Sequence, residues 1–458
     1  MTENTNASSK NSITEGVIWK QLLVFFFPIL LGTFFQQIYN TADAMVVGRF
    51  VGKEALACVG GSTAQIINLI VGFFVGLSSG ATVVLAQYYG AKDERNVSKA
   101  MHTAAAFAII GGLIITILGI VLTPQMLALL NTPENLMEGS GLYLRIYFAG
   151  AIFVFIYNIG SGLLRAVGDS KRPLYFLIVC CCLNIILDLV LVVGAHMGVA
   201  GVAIGTFISQ GVSAILIIIA LMRTQDMYQL KPKKIRLHGS IFKSLLRIGL
   251  PAGLESVLYT ISNMIIQASL NSFGTDTVAA WTAYGKMDSL FWMVLSAFGI
   301  SITTFVGQNF GAKKYDRMRK SVRVCLGLAI GVSLVLTVFF LALGHYVFML
   351  FTTDQNVIQI GMGIMHIMLP GYTIYVFIEI LAGALRGTGD VIIPMTITCG
   401  GICVLRVIWI MAAMPMRPQI STIIISYPIS WIITAILFIL YYTFRQRQRM
   451  RQEKESLS

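Results

Sequence analysis

The chain has 458 residues, 56% of them hydrophobic and 12% charged, with a mean hydropathy of +0.79. That is too apolar for a water-soluble chain of this length and points to a polytopic membrane protein. The formal net charge of +13 would suit nucleic acid, but the basic residues cluster between apolar segments, which excludes that reading in favour of a lipid bilayer.

In chain order, residues 1–16 are polar, lack a cleavage pattern and are expected to form a disordered cytoplasmic tail. Twelve spanning segments are predicted next, near 20–47, 55–85, 100–122, 138–163, 174–194, 199–222, 245–271, 277–306, 322–346, 358–384, 393–414 and 420–443. Each is close to the ~20 apolar residues a bilayer requires. With the N-terminus inside, the inner segments hold 27 Lys and Arg and the outer loops three, Arg49, Lys53 and Arg417. This asymmetry predicts a plasma-membrane protein with both termini cytoplasmic and an even helix count.

The first segment carries the most telling residues. Gln36, Asn40 and Asp43 fall on one helical face with Tyr39 beside them, and Pro28 interrupts the backbone ladder near the start. A carboxylate deep in a spanning helix costs roughly 2.5–3.5 kcal/mol on insertion scales, which marks Asp43 as a functional-site candidate. In the fifth segment Asn184 and Asp188 stand one turn apart on an otherwise apolar helix. Asp188 lies roughly 21 Å from the segment's start at 1.5 Å per residue. Thr206 enters from the other end of the sixth, so it can meet Asp43 and Asp188 at similar depth. Two carboxylates in one low-dielectric pocket cannot both stay ionised at low free energy, so the pair either holds a proton or coordinates a cation. Asn184 and Thr206 would add neutral oxygens suited to Na⁺ or to orienting a protonated acid.

The chain repeats itself. A shift of 221 brings Gln87-Tyr-Tyr-Gly-Ala-Lys92 onto Gln308-Asn-Phe-Gly-Ala-Lys313, and Gly162-Leu-Leu-Arg-Ala-Val-Gly-Asp169 onto Gly383-Ala-Leu-Arg-Gly-Thr-Gly-Asp390. Pro28 matches Pro251. A fixed offset indicates a duplicated six-helix unit. The expected fold is therefore all-α, with twelve transmembrane helices in two parallel six-helix bundles around a central cavity. The bundles would span 17–222 and 248–444, joined by a basic cytoplasmic linker at 223–247 and followed by a basic tail at 445–458. The repeated loop motifs read as helix caps and tight turns. No G-x-x-x-x-G-K-[ST] phosphate loop, metal-ligand spacing or nucleophile constellation occurs, so an enzyme is not expected. The seven cysteines read as small packing residues.

These features make the chain similar to the multidrug and toxic compound extrusion (MATE) family, and closest to its DinF-like branch. The resemblance rests on Pro28 with Asp43, on Tyr39, on Asn184-x-x-x-Asp188, on Thr206 and on the paired loops, and covers residues from about Trp19 to Phe444. It implies a monomeric H⁺- or Na⁺-coupled exporter of organic cations without a cofactor. Asp43, Asn184, Asp188 and Thr206 would form the ion site, and Tyr39, Tyr143 and Asn158 would join its polar network. Ser161 stands where some relatives carry a second Asn. Pro28 would let the first helix switch between straight and bent forms as Asp43 is loaded.

The second half does not copy these acids. Glu255 follows Pro251 by one turn, and Glu379 occupies the repeat position of Asn158. Glu379 is expected to bind substrate or ion, or to pair with Arg406; Lys286 and Asp288 are expected to pair at the interface. The alternatives are a lipid-linked or metabolite exporter or flippase of the same superfamily, the major facilitator family, or, from a different class, a membrane enzyme or receptor.

Overall fold

The computed structural model describes residues 13–455. Residues 1–12 of the expected tail and 456–458 of the basic tail lie outside the described residues. Residues 13–16, expected to be disordered, form a turn instead, with Ile13 and Thr14 buried. The turn is held by polar contacts to its own carbonyls: Lys314 Nζ donates to that of Thr14 at 2.9 Å and Gln21 Nε2 to that of Glu15 at 2.5 Å.

Among the described residues all regular structure is helical. In order these are α1 (Ile18–Phe50), α2 (Lys53–Gly60), α3 (Ser62–Gly90), α4 (Glu94–Leu129), α5 (Glu134–Ala149), α6 (Ala151–Ala166), α7 (Lys171–Asp188) and α8 (Gly198–Arg223). They continue with α9 (Gly239–Asn271), α10 (Thr275–Gly311), α11 (Tyr315–Met349), α12 (Gln355–Gly387), α13 (Ile392–Thr398), α14 (Leu405–Ala413) and α15 (Ile420–Glu455). Ten helical spans are long and apolar enough to cross a bilayer, and α5 with α6, bent by 46° at Gly150, make an eleventh. The fifth span of each half relaxes into a π-helical turn, Leu189–Gly194 after α7 and Cys399–Val404 between α13 and α14. The remaining expected span, the seventh, is α9, at 33 residues long enough to cross. Its Glu255, Ser, Thr, Asn and Gln residues make it less apolar than the others.

The duplication is visible in the backbone. Lys92 and Lys313 both adopt φ of 56° at the ends of α3 and α10, and Gly168 and Gly389 turn at φ of 95° and 84° in the paired LRAVGD and LRGTGD loops. A left-handed residue at a helix end satisfies the orphan carbonyls, so equal turn geometry follows from equal sequence.

The chain divides into two compact units. The first comprises residues up to Gly253 together with Gly307–Lys314; the second comprises Leu254–Val306 and Tyr315 onward. The expected linker is partly absorbed into helix, since α9 begins at Gly239. The remainder is fastened to the first unit: Tyr228 and Leu230 are buried, Lys231 N donates to His102 Nε2 at 3.0 Å, and Arg172 donates to the Tyr228 hydroxyl at 3.3 Å. The expected basic tail likewise continues α15 as helix to Glu455.

Within the first unit, close helix approach depends on glycine. Gly76 and Gly80 of α3 face Gly253 and Gly249 of α9, and the repeated motifs meet each other, Gly90 lying on the Gln308 backbone and Gly311 on that of Gln87. A Cβ on Gly249 would stand 2.6 Å from the Leu77 carbonyl oxygen. Backbone cannot yield as a flexible side chain can, so Gly249→Val is expected to destabilise the protein by about 1–3 kcal/mol. Thermal unfolding in detergent checks this; an unchanged midpoint would refute the close-packing account.

Candidate functional site

The polar residues of the first unit converge where α1, α7 and α8 pack together. α7 brings Asn184 and Asp188 on one face, both fully buried; α1 brings Asp43, and α8 brings Thr206, both at 5% exposure or less. Asp43 has Asp188, Asn184 and Thr206 as polar neighbours, and Thr206 is also the polar neighbour of Tyr39 and Tyr143. One Asp43 oxygen, both Asp188 oxygens, both polar atoms of Asn184 and the Thr206 hydroxyl are buried without a hydrogen-bond partner. Buried polar atoms are nearly always paired, so a cluster of six orphans is unusual. It presents oxygen ligands of the kind a proton or a hard cation takes.

Two backbone features shape the cluster. Gly205 brings α8 against α7, where a Cβ would meet Asp188 Oδ1 at 2.6 Å. The π-helical turn starts immediately after Asp188, a local feature common at functional sites. Beyond the polar residues lies an apolar cluster of Val46, Val47, Ala55, Tyr143, Val192, Val202 and Ala203. These residues sit toward the C-terminal ends of α1 and α7 and the N-terminal end of α8, so the carboxylates are dry on that side.

Not every expected residue takes part. Gln36 and Asn40 are exposed. Asn158 turns back on its own helix, its Nδ2 donating to the Val154 carbonyl at 2.8 Å, and Ser161 donates to the Asn158 carbonyl at 3.0 Å. Gly205 and the π-helical turn were not anticipated. A glycine one residue before the Thr in an apolar helix was the available signal for the first; nothing local announced the second.

The second unit is built differently. At the shift of 221 the counterparts of Asp188, Thr206 and Ile185 are Trp409, Tyr427 and Arg406, and at the shift of 223 that pairs Pro28 with Pro251, Asp43 corresponds to Ile266. Arg406 does not take the expected Glu379 as its partner. It is fully buried, donates from Nε to Ser430 Oγ at 3.1 Å and lies 4.0 Å over the Tyr427 ring. Arg386 instead reaches Glu255, at 3.8 Å, and is also the charge facing Glu379. The expected Lys286–Asp288 pair is likewise replaced: Lys286 is exposed, and Asp288 accepts from Trp292 Nε1 at 3.0 Å, one turn along α10. An aromatic cluster of Tyr284, Tyr372, Tyr427 and Trp431 fills the region around Arg406, and its ring faces hold the guanidinium.

Comparison with known proteins is decisive on ancestry. The MatE family model matches residues 28–190 and again 251–411. The chain belongs to the MatE family. Its two matched stretches begin at Pro28 and Pro251, the pair already related by the internal repeat. Among curated MatE relatives, the probable multidrug resistance protein YoeA of Bacillus subtilis is 28% identical over 93% of this chain and 94% of its own length. The multidrug export protein MepA of Staphylococcus aureus is 24% identical over 81% and 82%. Among solved structures, MATE in the bent conformation matches with a TM-score of 0.90 at 21% identity, covering 96% of this chain and 98% of the other. A MOP superfamily transporter from Pyrococcus furiosus gives 0.88, also at 21% identity and with the same coverage. At this identity the likeness establishes the MATE transporter fold, and an all-helical membrane protein.

Gly205→Ala is expected to impair transport by pushing on the Asp188 carboxylate. Gly211→Ala in the same helix, where a Cβ would make ordinary contact at 3.6 Å with Phe153, should leave it intact. Equal activity of the two variants in proteoliposomes would remove Gly205 from the site.

Proposed function

We propose that the protein is a multidrug efflux antiporter that exports organic cations in exchange for H⁺ or Na⁺ by alternating access, with Asp43 and Asp188 as the coupling carboxylates. The observation that carries this reading is the cluster of buried, unpartnered polar atoms on Asp43, Asn184, Asp188 and Thr206. A merely structural cluster would hydrogen-bond internally, and neutral side chains would serve that purpose with less desolvation. The names of the relatives, multidrug resistance and multidrug export proteins, support the export of drugs.

The residues divide the work. The two carboxylates take up the proton or Na⁺; Asn184 and Thr206 supply neutral oxygens; Tyr39 and Tyr143 stand beside Thr206 at the edge of the cluster. Loading the site neutralises charge among α1, α7 and α8 and changes the packing preferred by α1, which runs unbroken through Pro28. Proline leaves one backbone carbonyl without its helical donor, so two forms of α1 lie close in free energy. With both termini cytoplasmic, as the Lys and Arg distribution favours, moving one monovalent cation outward against an inside-negative potential costs about 2.3 kcal/mol per 100 mV. Admitting one H⁺ or Na⁺ returns the same electrical work, so one-for-one exchange runs on the ion gradient alone.

The test is uptake of a fluorescent organic cation by proteoliposomes under an imposed pH or Na⁺ gradient. Asp43→Asn is expected to lose gradient-driven uptake by at least about tenfold, as a coupling residue worth roughly 1.4 kcal/mol or more requires. Survival of coupling in this variant would refute the assignment. Pro28→Ala should slow transport while leaving the unfolding midpoint unchanged; undiminished transport would rule out the α1 switch.

A further inference from the structure

A second concave site lies in the second unit, away from the carboxylates. It is a cavity of about 370 Å³ between α11, α12 and α15. One end is polar, formed by Arg319 and Arg323, one turn apart on α11, and by Tyr442 and Gln446, one turn apart on α15. The other end is apolar, with Leu326 on α11, Phe377 on α12 and Ile439 on α15. The spacing from Arg319 to Leu326 and from Gln446 to Ile439 is two helical turns in each case, about 10 Å. Because α11 begins where α15 ends, both helices place their polar residues at the same end. The groove is therefore amphipathic along the helix axes, polar at the end rich in Lys and Arg and apolar toward the interior of the spans.

Three observations bear on the occupant. Arg323 is exposed and forms no ion pair among the described residues, whereas Arg319 is anchored by Asp316 at 2.7 Å and so holds a fixed position. Gln446 is 8% exposed and lines the polar end beside Tyr442. The wall below is apolar and, at Ile439, 41% exposed. Two guanidinium groups suit a phosphate, which they can bind through several charge-assisted hydrogen bonds. A hydrophobic wall two turns deep suits acyl chains and has no use for a free anion.

We propose that this groove binds one anionic phospholipid, its phosphate held between Arg319 and Arg323 and its acyl chains lying along Leu326, Phe377 and Ile439. The lipid would seat the cytoplasmic end of α15 against α11. It would be selected by charge, since basic residues near an anionic leaflet each favour such lipids. The site does not involve the exchange carboxylates and stands or falls independently of them.

The full-length protein, purified in detergent, is equilibrated with equal amounts of phosphatidylglycerol and phosphatidylcholine, and retained lipid is counted by native mass spectrometry. The wild type is expected to retain one phosphatidylglycerol in preference. R323Q should reduce that retention about fivefold, the loss of one basic contact, while R323K keeps it. L326W, which fills the acyl end and leaves both arginines in place, should abolish it without altering unfolding in lipid-free detergent. K243Q, which removes an exposed charge elsewhere, should have no effect. Equal retention of the two lipids, indifference to both R323Q and L326W, or displacement of the lipid by glycerol phosphate at the lipid's own concentration would each overturn the proposal. If one of the two groove variants fails to fold, the other decides.

Discussion

Asp43 and Asp188 lie buried among three apolar helices, with oxygens that the protein itself does not satisfy. An ionised carboxylate in such surroundings carries a desolvation penalty that protonation or a nearby cation would relieve, and this constraint underlies the proposed coupling role. Much of the local architecture maintains this constraint. Gly205 brings α8 up against the Asp188 carboxylate, Asn184 and Thr206 contribute neutral dipoles, and the valines beyond them deny water an approach from one side. A rigid, well-satisfied polar network would be more stable than this one.

Duplication explains the scaffold but not the chemistry. The two halves share turn geometry down to individual left-handed residues, and their Gln and Gly motifs pack on one another within the first unit. The polar centre has diverged completely. Where one half holds carboxylates that lack partners, the other has placed a permanently charged guanidinium against aromatic rings. The two polar centres thus differ in the charge they carry, a difference that evolution can reach by changing side chains while keeping helix packing intact.

Charge outside the apolar spans has a separate task. The basic residues at the helix ends orient the chain in the bilayer, and where two of them stand over an apolar groove they also offer a place for a lipid. The linker after α8 shows that such segments are not passive: aromatic and histidine contacts hold it on the first unit. A polar backbone next to a membrane gains stability from any partner that satisfies it, so connecting segments dock when suitable donors and acceptors are near.

Sequence alone determined the solvent, the duplication and which polar residues of the first half come together in the interior. Those features are written in composition, in a fixed offset and in isolated polar residues whose burial in lipid is too unfavourable to be incidental. Helical spacing was enough to bring Asn184 and Asp188 together, because one turn of one helix decides it. Tertiary structure decided what depends on other helices. Glu255 and Glu379 face Arg386 while Arg406 turns to Tyr427 and Ser430, and Asn158 turns away from the site to its own backbone. The π-helical turns and the break at Gly150 belong to the same class. Pattern reading locates a polar residue on a helix face, but the partner it finds is set by the rotation and separation of neighbouring helices, and no local periodicity encodes those.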